Sequence, residues 1–284
     1  MKIWITGAEG QLGRSLQQTA MADCETCFFT DREVDLTSRE AVEAFMEERQ
    51  AEVIINCAAY TDVERAEAEE EQAYAVNATA VGYLADVAKR HHALLIHIST
   101  DYVFMGGCCA TLTEQSQPNP INAYGRTKLA GEELIRRSGC SYMIWRTAWL
   151  YSPYGRNFVK TILRLSREGR DLRVVNDQIG SPTYALDLAE ALSEVVTSRR
   201  LVEGIFHYTN LGECSWWEFA CEICRLAGRN VAVQPCSSND YPSRVNRPKN
   251  AVLDKRKIQQ RLGLTIPHWK ESLAKYINDY ELQA

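Results

Sequence analysis

The chain has 284 residues, 45% of them hydrophobic, and 32 Lys and Arg against 37 Asp and Glu give a net charge of −5. That length allows one large domain or two intertwined ones, and the mild acidity, with no like-charge run beyond the short Glu67–Glu71 cluster, argues against a nucleic-acid partner. No stretch approaches the roughly 20 apolar residues of a membrane span and no leader pattern opens the sequence, so no membrane partner and a cytoplasmic location are expected, with the ten cysteines as thiols.

The first 150 residues alternate short β-branched runs with longer amphipathic stretches, the rhythm of a parallel sheet covered by helices. Strands are expected at Lys2–Thr6, Thr26–Thr30, Val53–Ala58, Leu94–Thr100 and Tyr142–Arg146, and helices at Gln11–Met21, Ser38–Gln50, Ala66–Arg90 and Tyr124–Ser138. Beyond Trp149, a helix is expected over Asn157–Gly169, a strand over Asp171–Val175, a helix over Leu186–Arg199 and a strand over Gly204–Thr209, before prolines break up a smaller region. The pattern implies an α/β fold: a Rossmann-type doubly wound parallel sheet with a smaller, discontinuous α/β substrate-binding domain. Residues 1–150 form the dinucleotide-binding part, with later segments returning to the sheet, and 151–284 mainly the substrate-binding part.

Of two Cys-x-x-Cys pairs, Cys221/Cys224 lies in helical surroundings, where that spacing places both thiols on one face. Cys24/Cys27 lies on the approach to a strand, with no histidine pair at ligand spacing. Both read as packing cysteines.

Immediately after the first strand, Gly7-Ala8-Glu9-Gly10-Gln11-Leu12-Gly13 opens a helix. Gly7 permits the tight turn, Gly10 lets backbone approach a pyrophosphate, and Gly13 lets helix and sheet pack closely. Gln11 and Leu12 supply the first helical turn, where phosphate is favoured. Thr30-Asp31-Arg32 ends the second strand: Asp31 suits the ribose hydroxyls of NADH and Arg32 the extra phosphate of NADPH, so the choice between the two cofactors stays open. The G-x-x-G-x-x-G spacing resembles the extended short-chain dehydrogenase/reductase superfamily. By that resemblance Asp35, Leu36, Ala58, Ala59 and Tyr60 are further cofactor contacts, and Asn77 is a buried structural asparagine.

Tyr124-Gly125-Arg126-Thr127-Lys128 opens a helix, and the four-residue offset puts hydroxyl and ammonium on one face. A positive charge there is expected to favour the phenolate of Tyr124 and bring it into working range, while Lys128 and Tyr124 also meet the cofactor. With Thr100 ending an apolar strand, Thr100, Tyr124 and Lys128 form the expected catalytic set: Thr100 orients a carbonyl, Tyr124 protonates its oxygen, and a nicotinamide supplies hydride.

The runs Ser99-Thr100-Asp101-Tyr102-Val103-Phe104, Asn122 through Glu132, Arg146-Thr147-Ala148-Trp149-Leu150-Tyr151 and Asn176 through Thr183 resemble the dTDP-4-dehydrorhamnose reductases. The similarity extends from the first strand to Arg247-Pro248. It implies a nucleotide-sugar substrate met by Thr100, Asp101, Tyr102 and Trp149. Arg247, with Arg244 and Lys249, suits the substrate's diphosphate. Met105 and the following Gly106-Gly107-Cys108-Cys109 depart from the family pattern over the sugar. Ser15 and Leu186 stand where members that dimerise through magnesium carry glutamates, so no metal is expected, and a homodimer stays open.

A sugar-nucleotide dehydratase would need a second acid where Tyr102 follows Asp101. An epimerase using the same tyrosine and lysine stays open. So do a non-catalytic dinucleotide-binding subunit, like the beta subunit of methionine adenosyltransferase, and a redox-sensing module.

Overall fold

A computed structural model describes residues 1–22, 26–107, 111–241, 243 and 245–283. The strands are β1 (Ile3–Thr6), β2 (Cys27–Thr30), β3 (Val53–Asn56), β4 (Leu94–Thr100), β5 (Ser141–Thr147), β6 (Leu150–Tyr151), β7 (Leu172–Val175), β8 (Ile179–Gly180), β9 (Thr183–Tyr184), β10 (Gly204–His207), β11 (Cys214–Ser215) and β12 (Val233–Cys236). The helices are α1 (Gln11–Leu16), α2 (Arg39–Arg49), α3 (Val63–Ala66), α4 (Glu70–Tyr74), α5 (Ala80–Arg90), α6 (Ala123–Ser138), α7 (Phe158–Arg167), α8 (Ala185–Thr197), α9 (Trp216–Leu226), α10 (Arg256–Leu262) and α11 (Trp269–Gln283).

Six strands form one sheet in the order β10-β5-β4-β3-β1-β2, every neighbouring pair parallel. Side chains alternate across it. Ile3, Ile5, Val53, Ile55, Ile96 and Trp145 face a core closed by Leu12 and Leu16 of α1 and Leu188 and Leu192 of α8. Trp4, Ile54, Leu95 and Ile144 face the opposite core, closed by Val42 and Met46 of α2, Leu84 of α5 and Ile135 of α6. Burial on both faces explains why these strands read as nearly continuous apolar runs. A separate apolar cluster joins β7 to α7, α9 and α11 through Leu172, Val174, Ile162, Phe219, Ile223 and Tyr276.

The order of strands reverses at β1, with β2 on one side and β3 on the other. In such sheets ligands bind beyond the carboxyl ends of the strands at this reversal.

Among the elements whose bounds differ from the sequence expectation, three border the glycine turn and α6. The helix expected over Ala66–Arg90 is α4, a π-helical turn at Ala75–Thr79, then α5. The widened turn carries Asn77, whose amide bonds both backbone groups of Tyr60 and the Thr127 hydroxyl on α6. The strand expected to reach Ala58 stops at Asn56, whose side chain accepts the Ala58 N–H at 3.1 Å. The first helix ends at Leu16 rather than Met21, because Gln18 and Thr19 turn back onto the carbonyls of Ser15 and Leu16.

Among the described residues, no helix is long and apolar enough to cross a membrane. Cys221 and Cys224 are free thiols on α9, both raised by burial; Cys24 lies outside the described residues.

Candidate active site

The carboxyl ends of β1, β3, β4 and β5 open onto a cleft of about 650 Å³. Gly7, Gly10, Gln11, Leu12, Asp31, Ala58 and Ala59 line it on the β1 side, and Thr100, Asp101, Tyr102, Tyr124, Lys128, Trp149 and Arg247 on the other. The expected cofactor residues Gly13, Arg32, Asp35, Leu36 and Tyr60 are not among the lining. Gly13 works from beneath: a Cβ there would lie 2.2 Å from the Gly7 carbonyl oxygen, so any side chain would push α1 off the turn. Leu36 packs against the apolar core and Asp35 is exposed, accepting from Thr37. Tyr60 turns its hydroxyl to Glu69.

The reach of Tyr124 into the cleft is set by how α6 begins. Asn122 caps it, accepting the Gly125 N–H at 2.8 Å while its own amide donates to the Asn246 carbonyl. A Cβ on Gly125 would sit 2.2 Å from the Tyr102 carbonyl oxygen, so only glycine lets the first turn of α6 lie against the short 3-10 turn Asp101–Val103. Further along, Gly131 presses against the Asn77 carbonyl in the π turn, where a Cβ would be at 2.2 Å. Glu67 accepts the Ala123 N–H, and Glu70 pairs with Arg126 through two hydrogen bonds. Helix α6 is thus fixed over its first half, and Tyr124 lines the cleft together with Thr100.

Lys128 does not do what its spacing suggested. Its Nζ is buried and turned toward β4, donating to the Ile98 carbonyl at 2.7 Å and lying 3.2 Å from His97 Nε2. Tyr124 is instead driven up from its ordinary pKa by burial, with Asp101 and Tyr102 adding to the rise and the Thr100 hydroxyl opposing it. The expected phenolate is therefore corrected: burial, with Asp101 and Tyr102, favours the protonated form of the half-buried tyrosine. Lys128 itself is brought down to about 8 by burial, against Glu132 and Cys57, which raise it.

Asp101 is 2% exposed and its Oδ2 has no hydrogen-bond partner, while Oδ1 takes the Thr100 hydroxyl at 3.0 Å. Burial pushes it up to about 7. Since an unfolded aspartate ionises near pH 4, the folded state loses stability as pH rises from about 4 to 7. Asp101→Asn removes that ionisation, so its unfolding midpoint is expected to exceed the wild type's at about pH 8 and to match it near pH 4. Thermal melts at both values check this; a lower midpoint at the higher pH would show that the carboxylate is stabilising.

Trp149 adopts a left-handed backbone, φ 47°, and its ring stacks on Trp216 with centroids 3.5 Å apart. Gly180 lies beneath, with room for no Cβ. Tyr102 Oη accepts from Arg247 at 3.0 Å, which leaves its O–H hydrogen uncommitted by that contact, and Arg247 pairs with Glu64 at 2.9 Å. Arg244 lies outside the described residues.

A second cavity, of about 750 Å³, shares Phe158, Trp216 and Arg247 with the cleft and is lined further by Arg173, Gln178, Asn246 and Lys249. Arg156, Phe158 and Trp216 were not anticipated as site residues. Asn157 alone gave a signal, as a helix cap: its side chain accepts from Lys160 and donates to Gln11 Oε1, tying α7 to the glycine turn.

A family model described as the RmlD substrate binding domain matches residues 1–282. The chain is 38% identical to the spore coat polysaccharide biosynthesis protein SpsK of Bacillus subtilis, covering 98% of this chain and 97% of that protein. It is 38% identical to a dTDP-4-dehydrorhamnose reductase of Aggregatibacter actinomycetemcomitans, over 96% and 97% of the two chains. The crystal structure of dTDP-4-dehydrorhamnose reductase from Bacillus anthracis in complex with NADP superposes with a TM-score of 0.93 at 38% identity, covering 98% of this chain and all of that one.

Proposed function

From the premise that this chain belongs to the family of the RmlD substrate binding domain, we propose that it reduces the 4-keto group of dTDP-4-dehydro-L-rhamnose with NADPH or NADH, giving dTDP-L-rhamnose. The observation that carries this reading is that Thr100 and Tyr124 line one cleft beside the unpartnered oxygen of Asp101, across from the glycine turn.

The residues present fit a dinucleotide. Gly7, Gly10, Gln11 and Leu12 offer backbone to a pyrophosphate, Asp31 suits the adenosine ribose, and Lys128 and Tyr124 stand where the nicotinamide ribose would be held. Bound there, the reduced nicotinamide supplies the hydride. Thr100 orients the sugar carbonyl by a hydrogen bond, and Tyr124 Oη gives its proton to the oxygen as C4 is reduced. A tyrosine whose pKa is held up keeps the proton that this direction of reaction consumes. Asp101 Oδ2 and Trp149 meet the sugar, and the adjoining cavity takes the nucleotide, with Arg247 on the diphosphate. In this reading residues 1–150 chiefly hold the cofactor and 151–284 the nucleotide sugar, in a cytosolic enzyme open to homodimer formation.

Loss of nicotinamide absorbance on mixing protein, NADPH and dTDP-4-dehydro-L-rhamnose is the test. Binding of the cofactor without its oxidation would favour the regulatory-subunit reading instead. Arg247→Ala is expected to raise KM for the nucleotide sugar about 10–100-fold, the loss of a charge-assisted hydrogen bond, with kcat nearly kept. An unchanged KM in steady-state kinetics would remove Arg247 from the diphosphate site.

A further inference from the structure

Behind Tyr124 lies a buried chain of polar groups whose hydrogens have one consistent arrangement. It starts at Ala58, whose backbone N–H is 3.1 Å from Asn56 Oδ1. A peptide N–H only donates, so the Asn56 atom there is its oxygen, which also accepts the Thr6 hydroxyl at 2.7 Å. The Asn56 amide nitrogen consequently faces His97 Nδ1, at 3.0 Å, and donates to it. With Nδ1 accepting, the single proton of the neutral ring is on Nε2. An imidazolium would set two N–H groups against each other, and burial holds the His97 pKa well below its ordinary value. The Nε2–H then points at Lys128 Nζ, 3.2 Å away. An ammonium has three N–H bonds and no lone pair, so it cannot receive that hydrogen; a neutral amine receives it while donating to the Ile98 carbonyl.

We propose that His97 is a positioning residue that holds Lys128 as the neutral amine in the cofactor-free protein, so that cofactor binding draws a proton from solvent onto Lys128 Nζ. The coupling to cofactor rests on the function proposed above; the protonation of the resting pair does not. Every charged or titratable neighbour of Lys128 is compatible with this. Burial lowers it to about 8, outweighing Glu132 on α6 and Cys57 beyond β3. The Cys57 thiol is itself pushed up to about 12 by burial and carries no charge at neutral pH. Glu132 is already paired with Arg146 of β5. The His97 N–H, which favours the uncharged amine, moves Lys128 further in the same direction. A neutral lysine at rest also leaves Tyr124 its proton, the form that reduction requires.

Long-range proton–nitrogen spectra of protein labelled at its five histidines decide the resting state, with His97 assigned by its disappearance in His97→Gln. The expected pattern is the Nε2–H tautomer; the Nδ1–H tautomer would overturn the proposal. Calorimetry of NADPH binding at about pH 7, where burial alone would leave Lys128 mostly protonated, in buffers of different ionisation enthalpy, then counts the protons taken up. Wild type is expected to take up a large fraction of a proton per cofactor. His97→Gln, whose amide keeps the same hydrogen-bond polarity, should retain the uptake, and His97→Phe should lose most of it. Equal uptake by wild type and His97→Phe, or none by wild type, would overturn the coupling. Failure of NADPH to bind at all would count against the reductase reading, while the tautomer still decides the resting state.

Discussion

Tyr124→Phe is expected to lower kcat by about 10²–10⁴-fold, the usual contribution of a positioned general acid, while leaving NADPH affinity within a few-fold of wild type. The variant loses one oxygen. The ring, its edge-on contact with Tyr102 at 5.5 Å and the packing of α6 on the 3-10 turn all remain, so the loss isolates the proton. Because burial holds the proton on Tyr124 throughout the neutral range, kcat is also expected to show no fall from tyrosine ionisation as the pH is raised to about 9. Cofactor titration by fluorescence beside steady-state turnover separates the two effects. Parallel loss of affinity and rate would mean that the hydroxyl holds the cofactor rather than supplying the acid.

The largest expected effect on stability lies about two helical turns further along α6. Glu132 is paired with Arg146 through two hydrogen bonds, at 2.9 and 2.6 Å, and also accepts the Ser99 hydroxyl at 2.5 Å. Both charged side chains are 2% exposed, and Arg146 Nη1 has no partner at all. Phe104 lies under the guanidinium, 4.9 Å from its ring centre. Glu132→Leu leaves a guanidinium buried without a counter-charge, an arrangement that costs about 3–5 kcal/mol. Glu132→Leu with Arg146→Met should recover much of that loss, since no charge is then left behind. Denaturant unfolding of both variants is the measurement. A loss under about 1 kcal/mol in the single variant would show that water reaches Arg146.

The parts of this site that were legible in the sequence are those fixed by short-range spacing. The glycine turn announces itself because Gly7, Gly10 and Gly13 are needed by one local backbone path. Tyr124 and Lys128 are legible because four residues make one helical turn, and the strands because burial on both faces leaves little but β-branched and aliphatic residues. The same spacing misled on electrostatics. It places Lys128 on the right face of α6 but says nothing of β4, whose Ile98 carbonyl and His97 ring capture the amine.

What stayed hidden depends on packing between distant segments. Trp216 reaches the cleft only because β11 pairs with β8 and sets the start of α9 against Trp149. The π turn at Ala75–Thr79 follows from the contacts of Asn77 with Tyr60 and Thr127, neither adjacent in sequence. His97, a polar residue between Ile96 and Ile98 of β4, carries no spacing signal; only the partners supplied by Asn56 and Lys128 give it meaning.

The most direct test of the central claim follows the hydrogen itself. With NADPH deuterated at the transferring position of the nicotinamide, the account predicts one deuterium at C4 of the dTDP-L-rhamnose formed, with cofactor oxidised in equal amount. Turnover of the sugar nucleotide with no deuterium in the product, or with no net oxidation of cofactor, would contradict it.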